Sequence, residues 1–118
     1  MRPVIRTAPL LAALATGAAG GDPTPDLSCR GDDPAWQLVL DGTTAVLDFG
    51  IRTEMDIPHE AAAENRDWPR ALTLVGMRDS GIVILTPRTC GDAPFEALLL
   101  TQRGTTPILL SGCCRPLR

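Results

Sequence analysis

The sequence predicts an all-β fold: a small antiparallel barrel or strongly curved sheet of six strands, with a short helical connector and an N-terminal signal peptide. Three observations predict it. Apolar residues alternate with a period of two through most of the chain after residue 35, the pattern of strands with one buried face. Turn signals such as Asp41-Gly42 separate the alternating runs. The four cysteines, Cys29, Cys90, Cys113 and Cys114, fall between or beyond those runs, where they can staple a small core.

The N-terminus comes first. "MRPVIR" carries Arg2 and Arg6 and no acid, "TAPLLAALATGAA" is small and apolar, and "ALA" and "AAG" resemble cleavage sites. This is the tripartite layout of a secretory signal peptide, read over residues 1–20 with cleavage between Ala15 and Gly21. The apolar run is shorter than the roughly 20 residues that span a bilayer, and Pro9 and Gly17 oppose an ordinary amphipathic helix. A lipid anchor would need a cysteine directly after the run. The first is Cys29, behind Asp26-Leu27-Ser28, so a soluble product in the periplasm or outside the cell is expected. Residues 21–34 are rich in turn formers and read as a linker, and residues 35–118 as the disulfide-stapled β-domain.

Within that domain, "AWQLVL" places Trp36, Leu38 and Leu40 on one face. After the Asp-Gly turn, residues 44–52 place Ala45, Leu47, Phe49 and Ile51 on one face of a second strand. "HEAAAENR" has helix formers and follows Pro58, so it predicts one or two helical turns ending before Pro69. Strands over 71–77 and 81–86 follow, joined by a turn, then a loop, then strands over 95–101 and 105–110. Pro107 predicts an edge-like or bulged start to the last strand. Leu98-Leu99-Leu100 is apolar on both faces, so this strand is either covered on both sides or part of an interface.

With antiparallel neighbours, all four cysteines gather at one end of such a sheet. Strain makes a bond between Cys113 and Cys114 themselves the least favoured of the three connectivities. Neighbours in an extended chain point to opposite sides, so one of the pair faces Cys29 and the other Cys90. Cys90–Cys113 with Cys29–Cys114 is preferred over the swap, which stays open. A bond from Cys29 to the last strand would also tie it to the first strand and remove the sheet edges. Zinc is the rival, but the spacings of 61, 23 and 1 residues lack the short C-x₂₋₄-C pairs of zinc sites. No metal and no cofactor are expected.

All eleven cations are Arg, and the full chain has a net charge of −3. Removal of residues 1–20 leaves nine Arg against fourteen acids, a net of −5. There is no basic footprint for nucleic acid, and with four aromatic residues there is little to stack on bases. His59 is the one histidine, and Ser28, Ser80 and Ser111 all lack a G-x-S-x-G context. The acids Asp32, Asp33, Asp41, Asp48, Asp56, Glu60 and Glu64 read as a solvated surface. The reading is therefore not an enzyme. Arg30-Gly31-Asp32 matches an adhesion tripeptide by chance. Trp36 alternates into the core, whereas Trp68 either caps a barrel mouth or meets a partner. The candidate binding surface is Trp68, His59, Asp92 and Phe95.

Two stretches, "CRGDDPAWQLVLDG" and "TCGDAPFEALLL" with the later "GCC", resemble a group of small exported bacterial proteins of unknown function, catalogued as predicted membrane proteins or lipoproteins. The likeness covers roughly residues 29–40 and 86–114, and the paired Gly-Cys-Cys is its most specific mark. The chain departs in a shorter Cys90-to-Pro94 loop and in Ala35, where an aromatic is common. The resemblance implies an exported domain and supplies no catalytic residues. Taken with the charge balance and the leader, the expectation is a non-enzymatic binding or structural module of the cell envelope whose partner is an envelope protein or small ligand, not nucleic acid, and which does not span the membrane after cleavage. A second expectation, an inhibitor of a lysozyme-type hydrolase, follows from similar periplasmic barrels that present Ser-Gly and Lys from a loop. This chain has Ser80-Gly81 and Ser111-Gly112 but no Lys. A small envelope hydrolase comes last.

Overall fold

The computed structural model describes residues 22–103 and 106–118. The signal peptide read over residues 1–20 lies outside the described residues. Nine strands follow in chain order: β1 (Leu27–Asp32), β2 (Ala35–Asp41), β3 (Thr44–Phe49), β4 (Ile51–Asp56), β5 (Glu60–Ala62), β6 (Arg70–Val75), β7 (Asp79–Thr86), β8 (Phe95–Arg103) and β9 (Thr106–Pro116). Their order in the sheet is β4-β3-β2-β1-β9-β8-β7-β6-β5, with a further pairing of β4 to β6. All pairings are antiparallel, and the result is a closed barrel of eight strands with β5 beside it.

The all-β barrel agrees with the sequence; the six-strand count and the helical connector do not. The first added strand comes from the expected linker. Residues 27–32 form β1, inserted between β2 and β9. Its turn formers mask a short alternation, in which Leu27 and Cys29 are fully buried while Arg30 is exposed. Partners on both sides then satisfy the backbone, which outweighs weak intrinsic propensity. The second arises because the run over 44–52 folds back on itself. Gly50 has φ +83°, a conformation open to glycine without strain, and Asp48 pairs with Arg52 across it.

The expected helix over "HEAAAENR" is also absent. Glu60–Ala62 form β5 instead, paired to β6 at Glu60↔Leu72 and Ala62↔Arg70. A sheet edge waiting for a partner overrides the preference of three alanines. β4 and β5 are successive parts of one strand that changes partner. Asp56 pairs with Val75 and Glu60 with Leu72, so four steps on this strand oppose three on β6, the signature of a bulge. Pro58, without an N–H, sits at the change. The Ile57 N–H reaches back to Thr43 O (2.8 Å), while the Thr73 N–H donates to His59 O (3.0 Å).

The interior is filled with side chains. Leu27, Leu38, Leu47, Leu74, Leu85 and Leu99 are fully buried, together with Val83, Cys29 and Cys114. An eight-stranded barrel encloses about the width that side chains fill. Trp36 lies among them, and its indole N–H donates to Ser111 O at 3.0 Å. The indole rests where β1 and β9 carry glycine: a Cβ at Gly31 or Gly112 would overlap the Trp36 ring and the neighbouring backbone.

Candidate functional site

The cysteines form Cys29–Cys114 and Cys90–Cys113, and none is free. Cys29 and Cys114 are direct partners in the β1–β9 ladder. Three positions along, the Leu117 N–H donates to Asp26 O (3.0 Å). Alternation therefore makes Cys29 and Cys114 a non-hydrogen-bonded pair, the closer kind, and their Cα atoms are 4.0 Å apart. Cys114 points inward and is fully buried, while Cys113 is half-buried and turns to Cys90. This is the opposite-side geometry expected of adjacent residues. One expectation about this bond changes: Cys29–Cys114 braces two strands already paired, whereas the barrel closes on the far side, between β4 and β6. Two disulfides point to an oxidising, non-cytoplasmic compartment.

Of the four candidate surface residues, the structure brings two together. Trp68 and Phe95 are half-buried at the margin of the core, with ring centroids 5.5 Å apart and a tilt of 49°. His59 is exposed, and its backbone N–H bonds Thr73 Oγ1 at 3.2 Å. Asp92 is exposed and accepts from Arg115 at 2.9 Å. Neither bond leads toward Trp68.

Sequence reasoning missed the residue that organises Trp68. Arg70, the first residue of β6, is buried, and its guanidinium carbon lies 4.1 Å from the Trp68 ring centroid. Its Nε donates to Asp67 O (2.8 Å) and its Nη1 to Thr24 Oγ1 (2.9 Å), with Glu60 at 3.8 Å. Thr24 in turn donates to Glu60. The cluster pins the segment before β1 to β5 and β6. With Nε and Nη1 engaged within the fold and its side chain 6% exposed, Arg70 is a structural cation rather than a ligand for solvent anions. The signal available was an Arg two residues from a Trp in a connector.

A second, partly apolar feature lies at the barrel seam. The ladder β3–β4 runs from Thr44↔Asp56 to Phe49↔Ile51, but β6 meets β4 at Asp56 alone. Below that pair the β6–β7 turn leans on β4. A Cβ at Gly76 would come within 2.8 Å of Met55 Cγ and 3.2 Å of Glu54 O. Farther along, Thr53 Oγ1 donates to the buried Asp79 Oδ2 at 3.2 Å. Met77, at the tip of this turn, is fully exposed. Open grooves of about 610 and 460 Å³ flank it, one reaching Ala45, Met55 and Val75 and the other reaching Ile51, Arg52 and Thr53.

Ser80-Gly81 lies inside β7 and Ser111-Gly112 inside β9. Neither is on a loop, so the projecting Ser-Gly expected of a hydrolase inhibitor is not formed at either place. Among the described residues, no cluster of three His, Cys, Asp or Glu side chains is arranged to hold a metal, and no helix is long and apolar enough to cross a membrane. No protein-family model, no curated protein and no solved structure matches the chain.

Proposed function

We propose that this chain is an exported, non-enzymatic binding or structural domain of a bacterial cell envelope, working in the periplasm or outside the cell, and that it belongs with the small exported proteins it resembles. One observation carries the reading. The barrel interior is occupied by leucines, so whatever the domain recognises must meet its outer surface. There the chain offers a fully exposed Met77 between two grooves, an adaptable apolar contact of the kind used at binding surfaces. The disulfides support an extracytoplasmic site of action. The partner is an envelope protein or a small ligand, and the acidic surface does not suit nucleic acid.

The test is retention of an envelope component by the oxidised protein, compared with Met77→Asp. A component held by the native chain and lost from the variant supports the reading. Equal retention by both, or none by either, refutes it. A lytic assay with a C-type lysozyme separates the inhibitor reading, which fails if lysis proceeds unchanged at micromolar protein.

A further inference from the structure

The outer wall of the barrel is divided by charge. On the β1–β4 side, one row of cross-strand partners reads Arg30, Gln37, Asp48, Arg52, all exposed. On the opposite side, the rows read Ile84–Leu98 and Ile82–Leu100–Leu109. These five side chains remain 37–65% exposed. Their inward neighbours Val83, Leu85 and Leu99 are fully buried, which accounts for a strand apolar on both faces. The outward β6 partners of Ile84 and Ile82 are Ala71 and Thr73, and the row beyond carries Ser80 and Gln102. An uncharged face thus extends over four strands of a chain in which 21% of residues are charged. Contiguous apolar surface of this kind marks a contact site rather than a solvated wall.

We infer that this face docks on the same face of a second copy of the chain. The chain is acidic overall, so two copies meeting through most of their surface would oppose like charges. This wall is the place where they meet without that cost. A face that is apolar at its centre, with its one bordering acid, Glu96 in the row beyond Ile84–Leu98, paired to Arg88 at 3.1 Å, can meet its own copy, which is what a two-fold dimer requires. A bilayer fits less well. The residues that make up this face include no Trp, Tyr, Lys or Arg, the types that anchor proteins at membrane interfaces, and the chain's net negative charge is repelled by anionic lipid. Four strands by three outward residues measure about 20 Å on a side, on the order of 400 Å² in projection. Two such faces bury on the order of 800 Å² in total, below the range of stable specific interfaces, so the dimer is weak and reversible.

The test is sedimentation velocity on the full-length gene product, purified from an oxidising compartment without reductant, from about 5 to about 500 µM, the range expected for a small interface. Leu100→Glu places a charge at the centre of the face, and Gln37→Glu serves as a control on the opposite wall. The native chain and the control should shift from monomer to dimer with concentration, while Leu100→Glu dimerises at least about tenfold more weakly. Circular dichroism and thiol labelling check its fold, with Leu98→Ser as the milder alternative. A native chain that stays monomeric throughout overturns the inference, as does equal dimerisation by Leu100→Glu. Monomer that co-sediments with phosphatidylcholine vesicles through Leu100 also overturns it, and assigns the face to lipid.

Discussion

Replacing Cys29 and Cys114 together by alanine should destabilise the barrel more than replacing Cys90 and Cys113. The magnitudes follow from the chain enclosed. The bridged residues are 85 positions apart in the first case and 23 in the second. Loop-closure entropy alone then gives about 4.6 and about 3.4 kcal/mol. The bridges are not independent. With Cys90–Cys113 intact, the shortest path from Cys29 to Cys114 crosses that bond, and the first figure falls to about 4.3 kcal/mol. Packing widens the gap again. Cys29 and Cys114 are fully buried, so removing their sulfurs leaves a void worth on the order of 1 kcal/mol. Cys90 and Cys113 are only half-buried, and their loss leaves little.

The expected costs are therefore about 5 and about 3 kcal/mol. Against a total of about 5–15 kcal/mol for a domain, the first variant sits close to unfolding. Equilibrium urea denaturation measures both. The comparison must use the extrapolated free energies and not the midpoints, because freeing a loop enlarges the unfolded state and changes the slope. A Cys90/Cys113 variant as damaged as the other, or more so, would refute the reasoning from loop length and burial.

Gly112→Ala should cost about 1–3 kcal/mol by thermal or urea unfolding, because the added methyl would overlap the Arg30 carbonyl of β1 as well as the Trp36 indole; a neutral result contradicts the glycine floor. Arg70→Met keeps an apolar stem against Trp68 but removes the bonds to Asp67 and Thr24. It should cost about 2 kcal/mol and shift tryptophan emission, and an unchanged spectrum would count against the stack. Asp26 is held below its ordinary carboxylate value of 3.8, first by the Gly42 N–H and then by Arg118. A lowered folded pKa means that its contribution is present above that ordinary value and lost as pH falls through the folded one. Amide signals of Leu117 and Arg118 should therefore hold steady from neutral pH to about 4 and move only below it.

The sequence carried the parts of this fold that depend on local periodicity. Trp36, Leu38 and Leu40 alternate inward in both readings, and the opposed directions of Cys113 and Cys114 assign each a separate partner, with the observed pairing preferred over a swap that local pattern leaves open. What it hid depends on long-range pairing. β1 looks like a linker because Ser28, Gly31 and Asp32 are turn formers, and it becomes a strand because β2 and β9 lie on either side. β5 looks helical because alanine favours helices, and β6 has an edge to fill. Gly50 reads as one residue within an alternating run, and only its backbone angle turns that run into two strands. The candidate surface was chosen by residue type alone. Two of its members, Trp68 and Phe95, do meet, but the seam around Met77 arises from where a ladder stops, and no short window of sequence encodes that.

The barrel is braced unevenly, and this asymmetry has a measurable consequence. β1 is paired along its length on one side and for four residues on the other, with a disulfide across the second ladder. Diametrically opposite, β4 meets β6 at one residue pair, and beyond it the β6–β7 turn and the Thr53–Asp79 hydrogen bond lie along the seam. Local opening takes the route that breaks fewest contacts, so the barrel should open at β4 and not at β1. Because the Ile57 N–H binds Thr43, ladder alternation turns the amides of Arg52 and Glu54 away from β3, toward the seam. In native-state hydrogen exchange these two amides should exchange at least about a hundredfold faster than the ladder amides of β1 and β2, a difference of about 2.7 kcal/mol in opening free energy. The ranking should survive Leu100→Glu and be lost on reduction of Cys29–Cys114, which removes the brace from the other side. Equal protection of β4 and β1 in the oxidised protein would mean that the seam is as firmly closed as the stapled wall, and that the Met77 grooves do not sit on the mobile part of the fold.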